Sequence, residues 1–168
     1  MKEARKLTVA VKPIPEGYHS ITACMTVKGA GKAIDFYKQA FGAEELLRVP
    51  GPDGLGVMHA ELKIGDSRYF IADGMKEMGN RSPETLGGSP SGIYLYVGDA
   101  DAAFRKAVDA GAIVKEPLRD MFWGDRCGTV RDPFGYDWTV ATHKEDVPPS
   151  EMKQRMEEWL KDMKSGKN

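Results

Sequence analysis

No stretch of this chain approaches the roughly twenty consecutive apolar residues that a membrane-spanning helix needs. An excess of charge is also missing. Lys and Arg number 24 against 25 Asp and Glu, so a net charge of −1 leaves no basic footprint for nucleic acid or an anionic membrane. Cysteine is scarce. Cys24 and Cys127 are the only two, too few for a secreted disulfide scaffold, and they read as reduced thiols of a cytoplasmic protein. The first residues carry charge but no continuous apolar core followed by a cleavage site, so no signal peptide is expected there. At 168 residues and 41% apolar content the chain suits one soluble domain whose core needs neither disulfide nor metal.

What the chain does have is a near-repetition. VKGAGKAIDFYKQAFGA from Val27 returns as VGDADAAFRKAVDAGA from Val97. Ala33 falls on Ala103, Ile34 on Phe104 and Ala40 on Ala110, while Gly42-Ala43 comes back one residue early as Gly111-Ala112. A period of roughly seventy residues is too long for a solenoid and too short for two comfortable domains. One domain of two similar halves is expected, with its ligand site where they meet.

Alternation and turn chemistry fill in each half. Ile21, Ala23, Met25 and Val27 alternate with Thr22, Cys24 and Thr26, the period of a half-buried strand. A helix follows over 30–41, where Ala30, Ala33, Ile34, Tyr37 and Phe41 recur at helical spacing before Gly42. Strands are expected at 44–50, 55–64 and 67–73, separated by Pro-Gly-Asp turns. The second half repeats this with a strand at 92–97, a helix at 100–110 and strands at 113–118, about 123–131 and 136–142. The expected organisation is an extended arm over 1–18 and a single domain over 19–147, with modules at 19–74 and 91–143 and a polar linker at 75–90. A C-terminal helix and tail occupy 148–168. In that last segment Met152, Met156, Trp159, Leu160 and Met163 form one stripe after Ser150, for packing on the same chain or on a second copy.

Two such βαβββ units resemble the vicinal oxygen chelate superfamily of glyoxalase I, bleomycin-resistance proteins and extradiol dioxygenases. The resemblance is carried by AIDFYKQAFGAEEL, HAELKIGDS, FWGDRCGTVRDPFG and ATHKEDV. It runs from about Ile21 to Thr142 and is closest to the superfamily's glyoxalase-like branch. It implies an α+β fold: two modules whose curved sheets surround a central cavity, with helices outside and a C-terminal helix added.

Alternation then sorts side chains between the helix side and the cavity side. Met58, Ala60, Leu62 and Ile64 go to the helices, leaving His59, Glu61 and Lys63 inside; likewise Ile93, Leu95 and Val97 leave Gly92, Tyr94 and Tyr96. Metal-dependent relatives of this kind use four His or Glu ligands, and the resemblance places those positions at Thr22, Glu61, Gly92 and Thr139. Only Glu61 is a competent donor, so no metal and no other cofactor is expected. His59 and Glu61, two residues apart, are either a pair that binds or deprotonates a ligand or a satisfied polar pair in a wet cavity. A weak metal site completed by Cys24 or water is a third option. Tyr94, Tyr96 and Trp123 suit a flat or apolar molecule, although core or dimer packing accounts for them equally. Arg126 either pairs with Asp125 or Asp132 or offers its guanidinium to an anion near the cavity mouth. His143 reads as a surface or capping residue.

The expected ligand-lining set is therefore His59, Glu61, Tyr94, Tyr96, Trp123, Arg126 and Thr139, in a homodimer that binds a small organic molecule without a tightly held metal. The competing expectation is a lyase, isomerase or dioxygenase, either metal-dependent or using His59 and Glu61 for acid–base chemistry.

Overall fold

The computed structural model describes residues 11–75 and 78–165; the first ten residues of the expected arm lie outside the described residues. The first module runs β1 (Cys24–Val27), α1 (Ala30–Phe41), β2 (Glu44–Pro50), β3 (Val57–Ile64) and β4 (Ser67–Asp73). A four-residue helix, α2 (Pro83–Leu86), interrupts the segment expected to be a linker. The second module runs β5 (Gly92–Tyr96), α3 (Ala100–Asp109), β6 (Ile113–Asp120), β7 (Asp125–Arg131) and β8 (Asp137–His143), and α4 (Pro149–Lys164) follows. The strand orders, β1-β4-β3-β2 and β5-β8-β7-β6, are the same in both modules. In each, the first strand is parallel to the fourth and the other pairs are antiparallel.

Each helix is tied to its sheet by a side chain of the fourth strand. Asp73 accepts the backbone N–H groups of Gly29 and Ala30 on one oxygen and that of Val57 on the other. In the second module the Thr142 hydroxyl accepts from Ala100 N–H and donates to the Val97 carbonyl. Helix α1 stops where expected, at Gly42 in the left-handed conformation with φ 68°.

One apolar core spans the two modules on the helix side of both sheets. Tyr37 of α1 lies 5.2 Å from Trp138 of β8 between ring centroids, and Phe41 stacks on the same indole at 4.4 Å. Buried Asp132 clamps this junction. One of its oxygens accepts from Tyr37 Oη at 2.7 Å and Trp138 Nε1 at 2.9 Å, and the other accepts the N–H groups of Phe134 and Tyr136. The Asp132-Pro133-Phe134-Gly135 turn is thus a joint between modules as well as a hairpin.

Several expected positions shift. The first strand begins at Cys24 because its ladder with β4 begins at Cys24↔Phe70, which leaves Ile21 90% exposed. Met58 is exposed rather than on the helix side. The β2–β3 register slips between Val49↔His59 and Pro50↔Val57, and Val57 takes the buried place. Strand β7 starts at Asp125, since hydrogen bonds Gly124 N–H to Met121 O and Met121 N–H to Asp125 O close a turn around Trp123. With the core on their helix side, each sheet leaves its other face outside that core.

Candidate functional site

The outer face of the second sheet follows from its register. Tyr94 pairs with Thr139, which pairs with Thr129; Tyr96 pairs with Ala141, which pairs with Cys127; Asp125 pairs with His143. Because trans-strand neighbours share a face, this row of side chains converges opposite the core. The hydroxyls of Thr129 and Thr139 meet at 2.9 Å.

Asp125 organises the row. Its side chain is 2% exposed, yet one oxygen accepts from Tyr94 Oη (3.0 Å), Tyr96 Oη (2.8 Å) and Trp123 Nε1 (3.1 Å), and the other lies 2.8 Å from His143 Nδ1. Burial opposes ionisation, but hydrogen bonds from His143, Tyr96, Tyr94 and Trp123 outweigh it and hold this carboxyl below the usual range. The partners respond in kind. Burial, then Cys127 and Asp125, pushes the Tyr94 phenol well above its ordinary value, and Asp125 raises that of Tyr96. His143 is raised by Asp125 first and by Asp146, 3.0 Å from its Nε2, second. A buried carboxylate with four donors fixes the orientation of three aromatic side chains.

Above this face lies a cavity of ≈ 350 Å³, lined by Tyr94, Trp123, Cys127, Thr129 and Thr139 from the sheet side and by Trp159 and Met163 of α4. Helix α4 therefore sits on its own chain. Trp159 lies 5.8 Å from Phe122 between ring centroids, Arg119 Nη1 donates to Met163 Sδ, and Arg155 pairs with Glu145 at 2.7 Å.

His59 and Glu61 belong to the first sheet and line no part of this cavity. His59 Nε2 is 3.6 Å from Glu61 Oε1, and its ring lies 5.0 Å from that of Phe70. The other Glu61 oxygen accepts from Tyr18, whose phenol is raised by burial first and by Glu61 next; Arg68 sits over the Tyr18 ring at 5.0 Å. The expected ligand set thus divides into a His59–Glu61–Tyr18 group and an Asp125-centred aromatic group on different sheets. Arg126 joins neither. Its guanidinium is held by both carboxylate oxygens of Asp101 (2.6 and 2.7 Å) and reaches Asp120 at 3.4 Å. It shares a register position with Thr142, on the α3 side of β7. Structural pairing was one of its two expected roles, but Asp101 and Asp120 are the partners rather than Asp125 or Asp132.

The metal positions implied by the superfamily do not fit a metal here. Thr22 and Thr139 offer hydroxyls, the latter already engaged by Thr129, and Gly92 offers no side chain, so Glu61 is the one strong donor of the four. Among the described residues no group of three or more His, Cys, Asp or Glu side chains is arranged to hold a metal ion. Four other clefts are larger, of ≈ 830, ≈ 710, ≈ 580 and ≈ 470 Å³. The first, between Ile21, the 64–69 turn and the edge strand β5, shares Tyr94 and adds Tyr96, whereas the others are lined mostly by polar residues and glycine.

Asp125 was visible in the sequence only as a possible partner for Arg126, and His143 as a capping residue. The alternation Asp125, Cys127, Thr129 is a parity signal, missed in the sequence, that puts Asp125 on the cavity side, but the four donors come from two other strands and a turn. Their convergence is not a local signal.

Paired βαβββ modules with polar side chains gathered on their outer sheet faces define the class: a glyoxalase-type fold. The chain belongs to the Glyoxalase/Bleomycin resistance protein/Dioxygenase superfamily, whose family model matches residues 18–140. An uncharacterized protein of Mycobacterium bovis is 44% identical over 135 residues, covering 79% of this chain and 88% of that protein. The crystal structure of a gene product from Arabidopsis thaliana matches with a TM-score of 0.59 and 33% identity, over 74% of this chain and 98% of that one. TioX from Micromonospora matches with a TM-score of 0.58 and 26% identity, over 73% and 97%. No helix among the described residues is long and apolar enough to cross a membrane.

Proposed function

We propose that this protein binds a small organic molecule, flat and largely apolar, in the cavity between the second sheet and α4, without a tightly held metal. The observation that carries this reading is the aromatic wall fixed by Asp125. Tyr94 and Trp123 line a cavity of ≈ 350 Å³ beside a few polar groups, the composition expected of a small-molecule site. The buried carboxylate fixes those rings before a ligand arrives, which lowers the ordering cost of binding. A homodimer is part of the proposal, because Leu47, Val49, Ile113 and Val114 are exposed apolar residues on the outer strands β2 and β6.

Native mass spectrometry of the purified protein for retained small molecules, followed by calorimetric titration with indole, 2-naphthol and acridine, tests the reading. At least one of these rings is expected to bind, and Trp123→Ala is expected to weaken it about tenfold. Binding that is unchanged in Trp123→Ala would sink the proposal. So would stoichiometric nickel, zinc or iron in the purified protein that disappears in Glu61→Ala.

The second reading, acid–base catalysis, rests on the first sheet. Tyr18 holds one Glu61 oxygen while the other stands 3.6 Å from His59, so the carboxylate is placed to orient the ring. It gains support if His59→Ala abolishes turnover of a carbonyl substrate that the Trp123→Ala variant still processes.

A further inference from the structure

We propose that α4 is a wall of the ligand cavity that this chain adds to the family fold, and that Trp159 and Met163 on it set the size of molecule admitted; this rests on the cavity proposed above. The family match ends at residue 140, before α4 begins at Pro149. The structures from Arabidopsis thaliana and Micromonospora are matched over 98% and 97% of their own lengths by only 74% and 73% of this chain. The shared part leaves about a quarter of the chain over, and the helix falls beyond the family match.

The position of α4 makes that addition consequential. It rests over the sheet face that carries Tyr94 and Thr139 and contributes a flat indole and a thioether to the same cavity. Trp159 is held through Phe122, which itself packs edge-on against Trp123 at 4.9 Å, so the α4 wall and the sheet wall are joined by one aromatic chain. An indole and a flexible thioether bounding a cavity near Tyr94 and Trp123 make a slot for a planar molecule, with the thioether able to adapt to its outline.

The wall is also lightly held. No residue of α4 is buried, Met156, Leu160 and Met163 remain partly exposed, and the ion pair that ties it to the preceding segment, Arg155 with Glu145, lies at the surface. The Trp159 N–H is shut off from solvent without a hydrogen-bond partner, so the docked position leaves one donor unsatisfied. A helix bound this way can yield to admit a ligand and close on it again.

Titration of the full-length protein with indole, 2-naphthol and acridine, in wild type, Trp159→Ala, Trp159→Phe, Met163→Ala and Tyr94→Ala, tests the proposal. The ratio of acridine to indole affinity is expected to rise about tenfold in Trp159→Ala, with a smaller rise in Met163→Ala and least change in Trp159→Phe. Circular dichroism of each variant confirms that α4 is still helical, and Met163→Ala carries the test if Trp159→Ala is not. An unchanged ratio in the folded α4 variants, with Tyr94→Ala still weakening every probe, overturns the wall and leaves the cavity standing. If Tyr94→Ala also has no effect, or the wild-type protein binds none of the three, both readings fall.

Discussion

Tyr37 donates its hydroxyl to Asp132 Oδ2 at 2.7 Å, joining residues 95 apart in sequence and fastening the first module to the second. The carboxylate is buried and fully occupied by Tyr37, Trp138 and the N–H groups of Phe134 and Tyr136. Tyr37→Phe removes one charge-assisted bond and is expected to cost about 1.5–3 kcal/mol. Asp132→Ala strands four donors at once and is expected to cost more, about 3 kcal/mol or above. Urea unfolding followed by fluorescence measures both, and equal losses for the two variants would show that Asp132 is not the hub of the joint.

Stability should depend on pH through His143 and Asp125 with opposite signs. His143 is raised in the folded protein, by Asp125 first and Asp146 second, so its contribution is complete below the unfolded histidine value and is lost as pH climbs through the folded one. Asp125 is depressed, so its contribution is present above the ordinary carboxylate value and is lost as pH falls through the folded one. His143→Gln should therefore melt well below wild type near about pH 6 and close to it near about pH 9. A gap between the two melting temperatures that stays constant over that range would contradict the Asp125–His143 interaction.

Arg126→Ala separates two roles that the sequence left open. The Asp101 and Asp120 partners are partly exposed, so the loss of stability should be modest, about 0.5–1 kcal/mol. Affinity for the cavity probes should not change, because the guanidinium is on the α3 side of β7. A tenfold fall in affinity with unchanged stability would return Arg126 to the binding site.

Gly128 is fixed by close approach. A Cβ there would stand 2.8 Å from a ring carbon of Phe104, 2.9 Å from the Leu118 nitrogen and 3.0 Å from the Glu116 oxygen. Backbone of β6 on one side and α3 on the other leave little room to give. Gly128→Ala should cost about 1–3 kcal/mol. Thermal melting at constant pH decides it, and a neutral result would mean that β6 moves more freely than its pairing with β7 implies.

Much of the fold was legible because it is encoded locally. The Gly65-Asp66 turn before it marked β4 at 67–73, helical spacing marked α1 at 30–41, and both agree with the structure residue for residue. Errors fell where a partner strand sets the boundary: the start of β1 waits for Phe70, and the bulge between β2 and β3 puts Val57 rather than Met58 in the core. The side of the sheet taken by Tyr94, Thr139, His59 and Glu61 was likewise a matter of parity, and parity needs only the strand's own sequence.

What meets what was not local. Asp125 gathers Tyr94, Tyr96, Trp123 and His143 only because β8 lies between β5 and β7, and Arg126 is drawn to Asp101 because α3 packs behind β7. His59 and Tyr94 carry the same inward parity, but the modules join through Tyr37, Trp138 and Asp132 on their helix sides, which assigns the two residues to separate faces. Alternation along one strand determined which residues could face a ligand. The packing of two sheets about a common core, a sum over contacts far apart in the chain, decided which of them stand together.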